Sequence, residues 1–416
     1  MDDIAMRRCI ESKRLGNELA PEVWEDIVAS YVAGTVDDAQ MAAMAMACIW
    51  RGMSVSEAAA MTRAIVASGE TLSYPDGIMV VDKHSSGGVS DIISLIAVPI
   101  VAACGTRVAK LSGRALGHTG GTIDKLETIP GFNVALSMDD FVRQVGSVGC
   151  AIAAQTDAFV PADKRLYKLR DRTGTVPNLG LIASSIVSKK VAGGAHAFVF
   201  DVKCGEAAFM QKPHEAIALA EALVAISQQF GRRARAIVSD MNEPLGRSIG
   251  TGIEIVEARE FLRGETAIPR VKALCLEVSE AMLELAGVSD GADDIQRALS
   301  TGAAYEKFCE MIEAQGGSVA AFEAMRRSPH VTLVKAAKAG FVQEIDTVAL
   351  GNAARSLSDV DPMAGVRVAV REGESVGSGA VLAEIFSEKP DIASVVAAFR
   401  VDEAAPPSRP LVYATV

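Results

Sequence analysis

The chain has 416 residues, 50% hydrophobic and 22% charged, which implies two or three domains and excludes general disorder. Its 52 acidic residues outnumber 41 basic ones, and a net charge of −11 without a basic stretch argues against a nucleic-acid partner. The longest apolar run, Ile92 to Cys104, is far too short for a membrane span and contains Pro99, and no secretory signal is visible at the opening Met1-Asp2-Asp3.

The first 70 residues read as helices. Glu22 to Ala33 is one, and Asp37 to Trp50 is a second, with Asp37 and Asp38 favourable at its start. Ser54 and Glu57 form a capping-box pattern that opens a third, ending near Gly69. Met41, Met44 and Met46 have roughly helical spacing and read as packing residues. The pattern then changes. Ile78 to Val81 reads as a short strand entering a Gly/Ser loop, and Arg107 to Leu111 as a second strand entering another Gly-rich loop. A helix from Ser137 to Val148 and a strand near Cys150 follow. Helices are expected over Asp163–Arg170 and Leu179–Ala192. Strand Ala197–Val202, helix Pro213–Phe230 and strand Arg235–Ser239 come next. Val366 to Ser387 alternates apolar and polar residues, turns at Gly373 and Gly377-Ser378-Gly379, and reads as hairpins.

The expected fold is therefore α/β. A small split all-helical domain (1–70 plus 162–193) lies beside a large mixed α/β domain (75–155 plus 196–330). A hairpin-rich α+β subdomain (331–416) completes the chain. Seven scattered cysteines, an odd number without a CxxC pair, fit reduced thiols of a cytoplasmic protein rather than a zinc site.

Two clusters carry chemistry. Asp82-Lys83-His84-Ser85-Ser86-Gly87-Gly88-Val89-Ser90-Asp91 sits between a candidate strand and a candidate helix. Glycines let backbone N–H groups converge, while hydroxyls, a lysine and a helix start add donors and positive charge. That combination suits a phosphate. The second cluster, Ser112-Gly113-Arg114-Ala115-Leu116-Gly117-His118-Thr119-Gly120-Gly121-Thr122-Ile123-Asp124-Lys125-Leu126-Glu127, follows the next strand and again suits a phosphate-cradling loop. It is neither a P-loop nor GxGxxG, so a nucleoside triphosphate is not indicated. Asp124 and Glu127 read as capping and salt-bridging groups rather than metal ligands.

Residues 112–127 resemble the signature of the thymidine and pyrimidine nucleoside phosphorylases, and Val81 to Asp91 resembles that family's other phosphate loop. The resemblance continues through Leu166–Asp171, Ser185–Lys190, Phe200–Lys203 and Asp240–Asn242, so it spans nearly the whole chain. It implies reversible phosphorolysis of pyrimidine nucleosides to free base and an α-sugar 1-phosphate, with inversion at C1′. It also implies a homodimer in which the small helical domain faces the large α/β domain across a cleft, no cofactor and no metal, with nucleoside and phosphate as the small-molecule partners. Lys83, Ser85, Ser94, Ser112 and Thr122 match the family's phosphate ligands. His84, Arg170, Ser185 and Lys189 match its pyrimidine-binding residues, and His84, Arg170 and Lys189 the catalytic ones. Leu116, Val176, Ile182 and Phe209 match the apolar wall beside the base. Fixed donors on the base carbonyls would stabilise the charge that develops as the base leaves. His84 is placed to bond a carbonyl or protonate the base.

The chain departs from the family pattern at four places. Thr175–Gly180 and Gly205-Glu206-Ala207 differ from the common sequences. Ser90 replaces a glycine and Gly250-Thr251-Gly252 a Gly-Asn-Ala, in a region where some relatives hold a monovalent cation. Lys110 stands where thymidine-specific members tend to have Met, which favours uridine beside thymidine and deoxyuridine. The alternatives are the same chemistry on a modified pyrimidine nucleoside or nucleotide, an anthranilate-type phosphoribosyltransferase, or a non-catalytic binding homologue.

Overall fold

A computed structural model describes residues 1–115, 117, 120–156 and 159–416. Four helices open the chain: α1 (Asp3–Arg14), α2 (Pro21–Ala33), α3 (Asp38–Arg51) and α4 (Val55–Ala67). Asp37 and Ser54 each complete a capping box, with Gln40 and Glu57, which satisfies the first free N–H groups of α3 and α4. Met41 and Met44 are buried, whereas Met46 is 39% exposed and lies off the packed stripe.

Next come β1 (Val80–Ser85), α5 (Ile93–Ala103), β2 (Arg107–Ser112), α6 (Thr122–Leu126), α7 (Met138–Ser147) and β3 (Cys150–Ala154). The chain then returns to helices α8 (Pro161–Thr173) and α9 (Leu179–Ala192), which pack on α2, α3 and α4. Strand β4 (Ala197–Cys204), α10 (Pro213–Gln229), β5 (Arg233–Asp240) and β6 (Ser248–Gly250) follow, with α11 (Gly252–Leu262), α12 (Pro269–Ala286), α13 (Gly291–Ser300), α14 (Ala303–Ala314) and α15 (Val319–Ala324) behind them. The last stretch holds β7 (Val331–Lys335), β8 (Gly340–Ile345), α16 (Thr347–Ser358), β9 (Gly365–Val368), β10 (Ser375–Val376), β11 (Val381–Phe386), α17 (Ile392–Ala397), β12 (Phe399–Asp402) and β13 (Val412–Thr415).

The main sheet has the order β13-β5-β4-β1-β2-β3, parallel except for β13 at its edge. The chain runs from β1 outward to β2 and β3, then resumes on the other side of β1 with β4 and β5. The reversal lies between β1 and β4, and in open α/β sheets ligands bind at the carboxyl ends of strands at such a point. One face of the sheet shares a core with α5, α11, α12 and α14, and the other with α7, α10 and the helices α1–α4, α8 and α9. This is a small helical unit set against a large α/β unit.

Two expectations need correction. Strand β1 does not stop at Val81 but runs to Ser85, so Lys83, His84 and Ser85 belong to a central strand rather than a loop. Pairing with β4 satisfies that backbone, and ion pairs carry its polar side chains. Residues 366–387 also do not fold as successive hairpins. β9 and β11 pair with each other, but β10 between them leaves to pair with β8.

Candidate active site

The carboxyl ends of β1 and β2 open into a cleft of about 320 Å³, within the range of small-molecule sites. The α/β wall carries His84 and Ser85 from the end of β1, and Ser94 from the first turn of α5. It also carries Lys110 and Ser112 from β2 and Thr122 from the start of α6. Gly87 bends the chain past β1 with φ +102°, a conformation that a side chain resists. Gly121 is needed for close approach, because a Cβ there would collide with the Ala115 N–H and the Asp124 carboxylate. The helical wall opposite carries Arg170 and Tyr167 from α8, Val176 from the connection, and Ile182, Ser185 and Lys189 from α9. Phe209, 51% exposed, stands at the rim.

Twelve of the fourteen predicted residues therefore line one cleft, although they come from segments more than a hundred residues apart. Lys83 does not line it. Its ammonium is fully buried behind Ser85, 3.0 Å from Asp201 Oδ2 and 3.9 Å from Asp91 Oδ2. Leu116 and His118 lie outside the described residues.

Hydrogen bonds and charge fix the walls. The Ser85 hydroxyl donates to Asp91 Oδ2 at 2.6 Å, and Asp91 Oδ1 accepts from the Ile93 N–H at the head of α5. Arg114 grips Asp124 at 3.0 Å and both oxygens of Glu127 at 2.5 and 2.7 Å, so these carboxylates act as salt-bridge and loop-holding groups. On the helical wall, Arg170 donates from Nε to Thr175 O, from one terminal nitrogen to Leu181 O at 3.2 Å, and from the other to Val176 O at 2.7 Å. It holds the α8–α9 connection in place. Lys189 donates to Ser185 O and Oγ at 2.9 and 2.8 Å and pairs with the buried Asp163. In the divergent segment, Asn178 caps α9 by accepting from Leu181 N, and donates to Cys48 O at 2.8 Å. That residue replaces part of the family pattern with a cap of its own.

His84 is pulled well below the ordinary imidazole value. Burial is the main cause, and the ammonium groups of Lys190, Lys110, Lys83 and Lys189 reinforce it. The charged form of His84 is thus disfavoured in the cleft. Burial also brings Lys110 down to about 7, with Lys190 adding to the effect. Residue types alone do not mark Tyr167 as lining the cleft, nor Asp163, Asp201 and Lys203 as the buried groups behind its walls. The Phe200–Lys203 and Leu166–Asp171 matches contained three of the four, but without a role.

Two family models match the chain: the glycosyl transferase family a/b domain over residues 77–305, and the glycosyl transferase family helical bundle domain over residues 7–69. The chain is 41% identical over 403 residues to a pyrimidine-nucleoside phosphorylase of Geobacillus stearothermophilus, covering 93% of both chains. It is 42% identical over 417 residues to a thymidine phosphorylase of Mycobacterium tuberculosis, covering 97% of this chain and 96% of the relative. Its fold is similar to the crystal structure of anthranilate phosphoribosyltransferase from Thermus thermophilus, with a TM-score of 0.59 at 20% identity over 74% of this chain and 98% of that one. With near-complete coverage at this identity, and with both walls of the cleft built from the matching motifs, the chain belongs to the family of pyrimidine-nucleoside and thymidine phosphorylases.

Proposed function

We propose that the protein catalyses the reversible phosphorolysis of pyrimidine nucleosides: thymidine, deoxyuridine and uridine. The observation that carries this reading is the pairing of two unlike walls across one cleft. Hydroxyls of Ser85, Ser94, Ser112 and Thr122 line one side, while Arg170, Ser185 and Lys189 stand on the other.

In this reading the hydroxyl wall and Lys83 bind phosphate, and the helical wall binds the base between Val176, Ile182 and Phe209. A phosphate oxygen attacks C1′ as the C1′–N1 bond breaks, and the bonding pair leaves with the base. Donors from Lys189, Ser185 and Arg170 stabilise the negative charge that spreads onto the base carbonyls. His84, held neutral, donates an N–H to a carbonyl rather than a full proton. Attack from the opposite face gives an α-sugar 1-phosphate. Phosphate is itself the nucleophile, so the reaction calls for no cofactor, and the two walls must come together to exclude water.

A homodimer fits the helical face. The adjoining helices α1 and α3 leave Ile4, Leu15 and Trp50 at 66%, 68% and 80% exposure, large apolar groups that a second copy would cover. No helix among the described residues is long and apolar enough to cross a membrane, and a cytoplasmic setting suits the reduced cysteines.

The test is base release from uridine, thymidine and deoxyuridine, with and without phosphate, followed by chromatography. Phosphate-dependent release is expected from all three. Release at equal rates without phosphate, or none at all, overturns the reading.

A further inference from the structure

Behind the hydroxyl wall lie four buried charges that the reaction described above uses only in part. Asp201 Oδ2 is 3.0 Å from Lys83 Nζ and 2.7 Å from Lys203 Nζ. Asp91 Oδ2 is 3.9 and 3.7 Å from the same two ammonium groups and also takes the Ser85 hydroxyl. Both lysines and Asp201 are fully buried, and Asp91 borders the cleft. The two lysines are not equivalent. Lys203 is anchored, because its ammonium donates to Ser239 Oγ at 3.1 Å, and Ser239 in turn donates to Asp201 Oδ1 at 2.6 Å. Its backbone N–H also donates to Ser86 Oγ. Lys83 has no such anchor. Among the described residues its ammonium has no hydroxyl partner and is held by the carboxylates of Asp201 and Asp91.

Two carboxylates and two ammonium groups balance. If Lys203 were uncharged, Lys83 would be held by both carboxylates, and a phosphate dianion would approach an uncompensated negative cluster through Asp91. With Lys203 in place, Asp201 keeps a cation when Lys83 turns outward. The two lysines also hold Asp91 far below the ordinary carboxylate range against the opposing effect of burial, and Lys203 contributes more than Lys83.

We propose that Lys203 is a positioning residue for phosphate: it neutralises Asp201 and Asp91 so that Lys83 is released to a phosphate oxygen. This rests on the phosphorolysis reading. The residue touches neither substrate, so its effect should fall on phosphate rather than on the nucleoside.

The experiment compares wild type, K203M and D201N/K203M, using inorganic phosphate as the titrant in calorimetry and in steady-state phosphorolysis of thymidine. For K203M, phosphate KM and Kd are expected to rise about tenfold or more while nucleoside KM stays within about twofold. The double variant restores charge balance and is expected to bring phosphate KM back to within about threefold of wild type. Unchanged phosphate affinity in K203M overturns the proposal, as does a folded double variant no better than K203M. If K203M does not fold, the double variant decides alone: phosphate KM near wild type supports the proposal, and a rise of about tenfold overturns it. Wild type that neither binds phosphate nor needs it for turnover would instead sink the phosphorolysis reading, and this inference with it.

Discussion

The ammonium of Lys110 donates to the main-chain carbonyl of Lys83 at 2.7 Å, tying strand β2 to strand β1 beneath the cleft. The bond holds a cation in a place where burial and Lys190 disfavour it, which is why Lys110 sits near pH 7 instead of 10.5. The unfolded chain binds that proton more tightly, so the penalty is full below about pH 7 and disappears as pH rises towards about 10.4. Lys110→Met is therefore expected to stabilise the fold at pH 6 by on the order of 2 kcal/mol, with the difference shrinking as pH rises above about 7, as denaturant midpoints would record. The same variant is expected to lower the uridine-to-thymidine ratio of kcat/KM by about tenfold, and an unchanged ratio would remove Lys110 from sugar selection.

In the proposed reaction His84 acts as a hydrogen-bond donor in its neutral form. Its pKa is depressed, so the pH profile of kcat/KM is expected to show no step at the ordinary histidine value of about 6.5. Stability should fall as pH drops below about 6.5, where the unfolded imidazole takes up a proton and the folded one does not. His84→Asn keeps an N–H and should lose about tenfold in kcat, whereas His84→Ala should lose about a hundredfold or more. Equal losses would assign His84 a proton-transfer role instead.

Asp163 orients Lys189 from the neighbouring helix. With Asp163→Asn the lysine keeps Ser185 as a partner but loses its counter-charge, and nucleoside KM is expected to rise about tenfold with phosphate KM unchanged. A variant affecting both substrates equally would point to a general disturbance of the cleft.

Among the described residues, Ser90 is the non-glycine one with positive φ, at +57°, and its hydroxyl donates to Ser248 O at 2.5 Å. Ser90→Ala loses that bond and keeps the strain, at a cost of about 1–2 kcal/mol. Ser90→Gly loses the bond but relieves the strain, so its stability should stay within about 1 kcal/mol of wild type. Chemical denaturation of the pair checks the order, and the reverse order would mean that the side chain packs better than its backbone suffers.

Much of this architecture is legible in the residues because the signals are local. The Ser54–Glu57 box starts α4, and Leu179–Ala192 is a helix over its full expected length. β1 is harder, because Asp82-Lys83-His84-Ser85 is polar and a central strand normally is not. Its polarity is tolerated only because Asp82 meets Lys190 and Lys83 meets Asp201, partners more than a hundred residues away. Asp163, Asp201 and Lys203 are not legible as supports of the cleft for the same reason: their meaning lies in contacts that no local spacing encodes. β10 misleads in the opposite way, since its turn chemistry is that of a hairpin while its pairing is with β8.

Consecutive residues of α9 belong to opposite sides of the molecule. Lys189 meets Asp163 on the helical side, while Lys190 is bolted to the sheet through Asp82 at 2.7 Å and Leu111 O at 2.9 Å. The end of α9 is thereby tied to both sides, and displacement of the helix about that tie would grow along it. Ile182 lies about 12 Å from Lys190 along the helix axis, so any rocking carries it through a longer arc than Ser185 or Lys189. Arg170, bonded to Val176 O and Leu181 O, would move with that far end, so rocking would shift it and the apolar wall together against Lys189.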